Sequence, residues 1–306
     1  RLFRENGRWF LEGEKFYSTG TLYATWVAVT ARIEGDDSEG FRTLVVVPTD
    51  APGVERLDDW RGFGQRLTAS GTTRLRRVAV SDDQILRYPS AGATAQTAVF
   101  QLFHVATLAG IARAIVRDAT AFVRARKRIF SHGSSSTPRH DSLVQQVIGQ
   151  LDSTAWLATL ATRDVAAALG RIDRQRQRGE AVAEQDLVDV ELRASRAQVV
   201  VTDAVLAAAT RLFDVGGATA LDEDRALDRH WRNARTLASH NPALYKARAL
   251  GDHALNDARP TFYWAVGTAA GPDASPSTEG DPFATQAPTP LISPSPLNPL
   301  PAPHHR

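Results

Sequence analysis

Apolar and polar residues alternate in short runs over about the first ninety positions of the chain. The runs are rich in β-branched and aromatic residues and are bounded by Gly, Pro and Asp, which is typical of an antiparallel sheet or barrel and not of βαβ units. Turns are predicted at residues 12–14 and 36–40. The predicted strands are residues 9–11, 15–17, 26–33, 41–47 and 72–80.

From residue 94 onward the apolar positions recur with the period of a helix. A first helix of about eight turns is predicted to end in the basic run 124–128. Its apolar face is predicted to hold Phe100, Phe103, Ile111, Ile115 and Phe122. Two more amphipathic helices are predicted at 143–169 and 186–213, the last one closed by Gly216 and Gly217. Three long helices joined by short polar loops predict an antiparallel bundle.

These patterns divide the chain into three parts. We predict a β-sheet or barrel domain over residues 1–92, a helical bundle over 93–258, and a disordered tail over 259–306. Ten of the 16 prolines lie between Pro272 and Pro303, mixed with Ser, Thr and Ala. Such a composition cannot bury enough apolar surface to offset the chain entropy lost on folding.

Composition and charge exclude several kinds of site. The 306 residues carry a net charge of +2, so no broad surface for nucleic acid is expected. The chain has no cysteine, which excludes disulfides, thiol nucleophiles and cysteine-ligated zinc. Its eight histidines show no HxxxH spacing, so we expect no metal site.

The most apolar run, residues 98–116, is interrupted by Gln101, His104 and Arg113. We therefore predict a buried helix and not a membrane span. No apolar signal-peptide region opens the chain, and we expect a cytoplasmic protein that binds no membrane. Because the chain lacks methionine and begins inside a predicted strand region, we also expect it to be a piece of a longer protein.

The predicted helices have apolar residues on more than one face. A lone three-helix bundle would not hide so many apolar faces. We therefore expect a homotetramer, or at least a dimer, built mainly by these helices.

Residues 228–246 contain the strongest candidate for a catalytic side chain. Arginines on a helical spacing are followed by His240, Asn241 and Pro242. Because proline disfavours helical geometry at the residue before it, His240 is predicted near a helix end, where its side chain can face a cavity. From these residues alone, a solvated basic helix with a capping break remains an alternative.

Four segments in this order resemble the acyl-CoA dehydrogenase fold. They are residues 13–20 (GEKFYSTG), 59–71 (DWRGFGQRLTASG), 212–220 (LFDVGGATA) and 229–246. Their details are similar to one branch, the two-component flavin-dependent monooxygenases, which includes dibenzothiophene monooxygenases and dimethylsulfone-type enzymes. The resemblance covers residues 1 to about 256, and the family's N-terminal helical domain has no counterpart in this sequence. It implies an α+β fold with a sheet domain before a C-terminal helix bundle.

The resemblance also implies a reaction. Enzymes of this branch take reduced FMN from a separate flavin reductase, and FAD is possible here. They use O2 to form a C4a-(hydro)peroxyflavin that oxygenates a small organic substrate at sulfur, nitrogen or an aromatic carbon. Such a group must be hydrogen-bonded and kept from water until it meets the substrate.

Three parts of the flavin and substrate site are implied by the matching segments. Thr19, with Ser18 beside it, lies where the family places a hydroxyl near flavin N5. His240 matches the histidine that supports the peroxide, and an imidazole can donate or exchange a proton near neutral pH. Trp60 matches an aromatic residue that lines the cavity. A strand-end threonine, a packed histidine and a core tryptophan remain the alternatives.

The phosphate end of the flavin is implied at different residues. Arg126 and Arg128 fall where the family uses an arginine, often across a subunit interface, and a guanidinium suits phosphate. Gly216 and Gly217 allow close approach of the backbone. Two alternatives explain these residues equally well. The positive charges of the arginines would complement the dipole at the end of a helix, and the glycines would form a helix C-cap.

Two departures from the branch keep other functions open. Leu237 stands where many relatives carry a second histidine, and Asn241 stands where they carry an aspartate. An FAD-dependent acyl-CoA dehydrogenase would have its catalytic glutamate at the position of Asn241, and an amide cannot act as a carboxylate base. A base from another helix, or a truncated relative that only oligomerises, remains an alternative.

Overall fold

The computed structural model describes residues 1–35, 41–89 and 92–262. Within them, an antiparallel β region precedes a set of long helices, as the sequence predicts. The predicted turn at 36–40 lies outside the described residues, as do positions 263–306 of the predicted tail.

Seven strands form two sheets. One sheet has the order β1-β2-β6-β5 and the other the order β3-β4-β7, and every adjacent pair is antiparallel. The strands are β1 (Leu2–Glu5), β2 (Arg8–Lys15), β3 (Trp26–Ala31), β4 (Phe41–Pro48), β5 (Val54–Arg56), β6 (Thr73–Val80) and β7 (Ile85–Pro89). Alternate residues of both sheets, including Leu11, Val45 and Val78, meet in one apolar core, because successive side chains of a strand point to opposite faces.

The predicted turn at residues 12–14 is wrong. Strand β2 continues through it and pairs with β6 on both sides. Between Leu11 and Gly13 the pairing shifts, so that β6 has one residue more than β2, and Arg77 on β6 has a φ of 49°. This is a β-bulge, which bends the strand pair and increases its twist. Gly13 has a φ of 141°, and the Glu-Gly-Glu composition that suggests a turn also suits this bulge.

Five α-helices follow the sheets. They are α1 (Gln96–Ala125), α2 (Ser142–Gln177), α3 (Glu184–Arg211), α4 (Arg229–Ala238) and α5 (Ala243–Asn256). The three long helices pack on one another around an apolar cluster, which confirms the predicted bundle. Asp141 starts α2, because its carboxylate accepts hydrogen bonds from the amides of Leu143 (2.9 Å) and Val144 (3.1 Å).

The predicted apolar face of α1 is only partly correct. Ile115 and Phe122 are buried, whereas Phe100 and Phe103 are 58% and 69% exposed. At 3.6 residues per turn, Phe103 lies about 120° around the helix from Ile115, so the two phenylalanines begin a second apolar face. By length and apolar composition, α1 is the one helix in the described part that could cross a membrane. Ten of its residues are buried, and nine of them, all apolar, pack in the helical core.

Two other boundaries differ from the prediction. Helix α3 ends at Arg211 and is followed by a 3-10 turn over Leu212–Val215, so Gly216 and Gly217 do not close the α-helix itself. The predicted tail from residue 259 also begins too early, because Phe262 is 6% exposed and packs in the helical core.

Candidate active site

A chain of three hydroxyl groups lies between the end of β2 and the segment that precedes β6. The hydroxyl of Thr19 is 2.8 Å from that of Ser70, and Ser70 is 2.8 Å from Thr68. Thr68 donates in turn to the carbonyl oxygen of Gln65 at 2.7 Å. A carbonyl can only accept, and each hydroxyl has a single proton. Ser70 therefore donates to Thr68 and Thr19 donates to Ser70, with the carbonyl oxygen of Tyr17 as a second and longer acceptor for Thr19 at 3.4 Å. The oxygen of the exposed Thr19 is left as an acceptor for other groups.

Backbone hydrogen bonds hold the two segments of this chain together. The amide of Ser18 donates to the carbonyl of Gly71, and the amide of Gly20 donates to that of Thr68, both at 2.9 Å. The side chain of Ser18 bonds the Thr21 hydroxyl at 2.9 Å and lies outside the chain of hydroxyls.

Trp60 lies beside the same segments. Its indole Nε1 donates to the carbonyl of Gln65 at 3.1 Å, the acceptor that Thr68 also uses. The ring of Tyr17 meets the half-buried indole edge-on, with centroids 6.0 Å apart. Trp60 thus contacts Gln65 and Tyr17, which lie in the same two segments as the hydroxyl chain.

Asp59 fixes the base of the segment that carries Trp60. Its carboxylate accepts from the amide of Thr72 at 2.7 Å and from the Thr72 hydroxyl at 2.8 Å. These hydrogen bonds hold the pKa of Asp59 below its ordinary value. Within the segment, Gln65 and Ala69 have left-handed backbone conformations, with φ of 51° and 46°. Such conformations persist only where surrounding contacts impose them.

Those contacts come from α4. The side-chain oxygen of Asn233 accepts from the amide of Gln65 at 2.7 Å. The ring of Phe63 stacks on Trp231, with centroids 5.9 Å apart and planes at 15°. The guanidinium of Arg232 donates to the carbonyl of Phe63 at 3.3 Å. The hydroxyl chain in the sheet domain is therefore attached to the helix that precedes His240.

The start of α4 is attached to α1. The carboxylate of Asp118 bonds the Nε2 atom of the buried His230 at 2.9 Å and also pairs with Arg229. Removing one partner of a buried network leaves the others unsatisfied. This cluster therefore fixes how α4 lies on α1.

His240 lies two residues beyond the end of α4, and its side chain is exposed. Its ring is 4.2 Å from the ring of His104 on α1, measured between centroids, with the planes inclined by 36°. Burial lowers the pKa of His104 to about 4, and repulsion from His240 adds to the effect. The sequence analysis did not predict the contact of His104 with His240, although His104 is one of the polar interruptions in the apolar run 98–116.

Amide side chains hold Asn241. Its Nδ2 atom donates to the side-chain oxygen of Gln101 on α1 at 3.2 Å, and its carbonyl accepts from Nε2 of Gln198 on α3 at 2.6 Å. Two buried atoms in this region, Nδ1 of His104 and Oε1 of Gln198, have no hydrogen-bond partner. The described contacts of His240 and Asn241 with α1 and α3 thus come from an imidazole and two amides.

A buried carboxylate on α3 is already engaged. Glu191 is 1% exposed, pairs with Lys246 of α5 at 2.8 Å, and accepts from the hydroxyl of Thr97 at 2.8 Å. Each of the two carboxylate oxygens of Glu191 thus accepts a hydrogen bond from a neighbouring side chain. In the described part of the chain, no group of three or more His, Asp or Glu is arranged to hold a metal ion.

The predicted phosphate-binding residues cluster at the other end of α1. Arg126 donates to the carbonyl of Val215 at 2.8 Å and covers the ring of Phe130, whereas Arg128 is exposed. A β-carbon at Gly216 would overlap Ala220 and Phe122. Gly217 has a φ of 55°. Close packing thus requires the first glycine, and a left-handed backbone favours the second.

The two clusters are not joined within one chain. His104 and Arg126 are 22 positions apart on the same helix, which corresponds to about 33 Å along its axis. The cluster of Arg126, Arg128, Gly216 and Gly217 therefore lies far along α1 from His104, the residue whose ring contacts His240.

Two family models match the chain. Residues 2–78 match the model described as "Acyl-CoA dehydrogenase, middle domain", and residues 102–243 match "Acyl-CoA dehydrogenase, C-terminal domain". The first match covers most of the sheets, and the second covers α1 to α4 together with His240.

Among curated proteins, the chain is 29% identical over 266 residues to dibenzothiophene monooxygenase of Mycolicibacterium goodii, covering 84% of this chain and 63% of the relative. It is 30% identical over 262 residues to the probable FMNH2-dependent monooxygenase SfnC of Pseudomonas putida, covering 82% and 64%. The chain thus spans less than two thirds of these relatives.

Among solved structures, the chain is similar to the dibenzothiophene monooxygenase TdsC from Paenibacillus sp. A11-2. The TM-score is 0.78 at 26% identity, covering 85% of this chain and 68% of that one, and one TdsC structure is FMN-bound. The methanesulfinate monooxygenase MsuC from Pseudomonas fluorescens gives a TM-score of 0.77 at 25% identity, covering 85% and 67%.

Proposed function

Because the chain belongs to the acyl-CoA dehydrogenase superfamily, in the branch that contains the dibenzothiophene monooxygenases, we propose that it is the oxygenase of a two-component flavin monooxygenase. The enzyme takes reduced FMN from a separate reductase and oxygenates a small organic substrate with O2. The name of SfnC, which is FMNH2-dependent, and the FMN-bound TdsC structure support this cofactor.

The observation that carries the proposal is the set of groups around residues 240 and 241. An acyl-CoA dehydrogenase removes an α-proton with a carboxylate base. In the described structure, His240 and Asn241 contact His104, Gln101 and Gln198, none of which is a carboxylate. This environment suits hydrogen bonding to a reduced oxygen species and does not suit abstraction of a carbon-bound proton.

The hydroxyl chain fits a reduced flavin. The oxygen of Thr19 is left as an acceptor, because its proton is donated to Ser70. Reduced flavin has an N–H at N5, whereas the same nitrogen of oxidised flavin can only accept. Thr19 therefore complements the reduced form, and Ser18 and Trp60 would hold the same end of the cofactor.

Each residue then has a limited task. The bound reduced flavin supplies the electron pair with which dioxygen is activated. The imidazole of His240 holds a proton beside the reacting oxygen atoms and can donate it. The indole of Trp60 covers a planar ring and excludes water from it. In the overall reaction one oxygen atom is transferred to the substrate and the other leaves as water.

The phosphate-binding residues act between subunits in this proposal. Arg126, Arg128, Gly216 and Gly217 would bind the flavin phosphate of a neighbouring subunit, because about 33 Å of helix separates them from their own His240. A homotetramer is supported by the exposed apolar side chains of α2, where Trp156 is 66% and Leu160 is 49% exposed. We place the enzyme in the cytoplasm, with the reductase and the substrate as its partners.

Anaerobic titration of the purified protein with FMN and FAD, each reduced and oxidised, tests the proposal. We expect tighter binding of reduced FMN and negligible reduction of bound flavin by acyl-CoA. Light scattering should give a mass equal to a multiple of the chain. Acyl-CoA-dependent bleaching of a tightly bound FAD would instead identify a dehydrogenase.

A further inference from the structure

His104 is the described side chain whose ring packs against His240. The two rings come from parts far apart in sequence, the first third of α1 and the residues just after α4. An in-plane N–H···N hydrogen bond between two imidazoles would separate their centroids by about 5 Å. The observed 4.2 Å and 36° are those of tilted rings in close contact. The contact is therefore a stack and not a proton relay.

The surroundings of His104 keep its ring uncharged. Its Nδ1 atom is buried and has no hydrogen-bond acceptor within reach. A protonated ring would place an N–H there with nothing to accept it, and a buried unpaired polar group is unfavourable. Burial and the neighbouring His240 lower the pKa of His104 to about 4, so this ring is neutral over the range in which an enzyme works.

The other charged groups near α1 do not contribute to the lowered pKa of His104. Glu191 of α3 and Lys246 of α5 pair with each other and reach α1 at Thr97. Thr97 is seven positions before His104, or about 10 Å along the helix. The electrostatic influence on His104 comes from His240 alone among the described groups.

We infer that His104 is a positioning residue for His240: its uncharged ring holds the other imidazole by stacking, at the angle at which that ring faces the reacting atoms. The inference rests on the proposed role of His240. A neutral aromatic ring attracts a cation placed over its face, so His240 stays in place when it carries a proton. If both rings were charged, they would repel each other and His240 would leave the stack.

A titration of the flavin-free full chain with isotope-labelled histidine tests the pair by NMR, from about pH 8 to about pH 3. We expect the His240 signal to show a step near pH 4, where His104 takes up its proton, and this step should vanish in His104→Phe. The exposed His132 should show no such step in either protein. If the His240 signal shows no step at the pH at which His104 takes up its proton, the inference is wrong.

The reciprocal variant keeps the test decisive if changes at His104 impair folding. His240 is exposed, so His240→Ala should fold normally. Without the neighbouring charge, the pKa of His104 should rise from about 4, but by less than half of the way to 6.5, since burial is the larger cause. An unchanged pKa would show that the rings do not interact.

The third experiment measures how many molecules of hydrogen peroxide are released for each reduced flavin that is oxidised. The His104→Ala variant lacks the stacked ring, and its release of hydrogen peroxide should be severalfold higher than that of the parent. The His104→Phe variant has an aromatic ring at this position, and its release should be close to that of the parent. His132→Phe is the matched control. Equal leakage in the Ala and Phe variants would contradict positioning. If the protein does not bind reduced flavin at all, the proposed function fails, while the NMR titration still decides whether the pair exists.

Discussion

Replacing Ser70 by alanine should change which redox state of the flavin the protein prefers. In the structure, Thr19 donates to Ser70, Ser70 to Thr68, and Thr68 to the carbonyl of Gln65. The Ser70→Ala variant removes the nearer acceptor of the Thr19 proton and leaves only the Tyr17 carbonyl at 3.4 Å. The Thr19 hydroxyl can then rotate and donate to N5 of oxidised flavin, while it still accepts from the N–H of reduced flavin.

The magnitude follows from one hydrogen bond. A neutral intramolecular hydrogen bond contributes about 0.5–1.5 kcal/mol net, which corresponds to about twofold to tenfold in a binding constant. We expect oxidised FMN to bind more tightly by this factor and reduced FMN to change little. For a two-electron couple a tenfold change is about 30 mV, so the midpoint potential of bound flavin should fall by up to that amount.

The assay is a pair of anaerobic binding titrations, supported by a redox titration of the bound flavin. Ser153→Ala is the matched control, because its hydroxyl bonds only the Gly149 carbonyl on α2 at 2.8 Å. A melting curve should show that both variants are folded. If Ser70→Ala is folded and binds both redox states with unchanged affinity, then Thr19 is not the acceptor that the hydroxyl chain implies.

Three further changes test other parts of the site. The His240→Ala variant should bind flavin almost normally but release more hydrogen peroxide, because a lost hydrogen bond to a charged group removes about 1.5–3 kcal/mol, or roughly tenfold to a hundredfold in rate; unchanged coupling of oxygen to product would make His240 structural. The Arg126→Ala variant should bind FMN more weakly by a similar factor and bind riboflavin with unchanged affinity, since riboflavin lacks the phosphate. Equal losses of affinity for FMN and riboflavin would show that Arg126 does not bind the phosphate. The pKa of His104 is about 4 in the folded protein and 6.5 without the fold, so the stability that its neutral state contributes is present above pH 6.5 and is lost as the pH falls towards 4. Urea unfolding at several pH values should therefore show a shallower decline for His104→Phe than for the parent, and parallel declines would contradict this.

The long helices were predictable because their apolar period extends over many turns. The errors arose where one local pattern serves two structures. Glu12–Gly13–Glu14 has the composition of a turn, yet the structure uses Gly13 at a φ of 141° beside a bulge in a continuous strand. Phe100 and Phe103 share a helical period with Ile115 but lie on another face of α1. Periodicity detects an apolar face and does not state what covers it.

The sequence nominates residues for the candidate site but does not predict the contacts between them. Pro242 and the arginine spacing locate His240 at a helix end, and the resemblance selects Thr19 and Trp60. No sequence pattern connects His240 to His104, because their contact depends on how α4 packs on α1. The assignment of flavin contacts to individual side chains stays a prediction that the variants above test.

Helix α4 determines how the two halves of the site are related. One end is fixed to α1 by Asp118, which binds Arg229 and His230. Its middle binds the segment with the hydroxyl chain, through Asn233 and the amide of Gln65. Its far end presents His240. In the described structure the hydroxyl chain and His240 are thus both positioned by the same ten-residue helix. A shift of α4 on α1 would therefore move the segment of the hydroxyl chain and His240 together, and in the proposed site this preserves their mutual geometry better than two independent loops would.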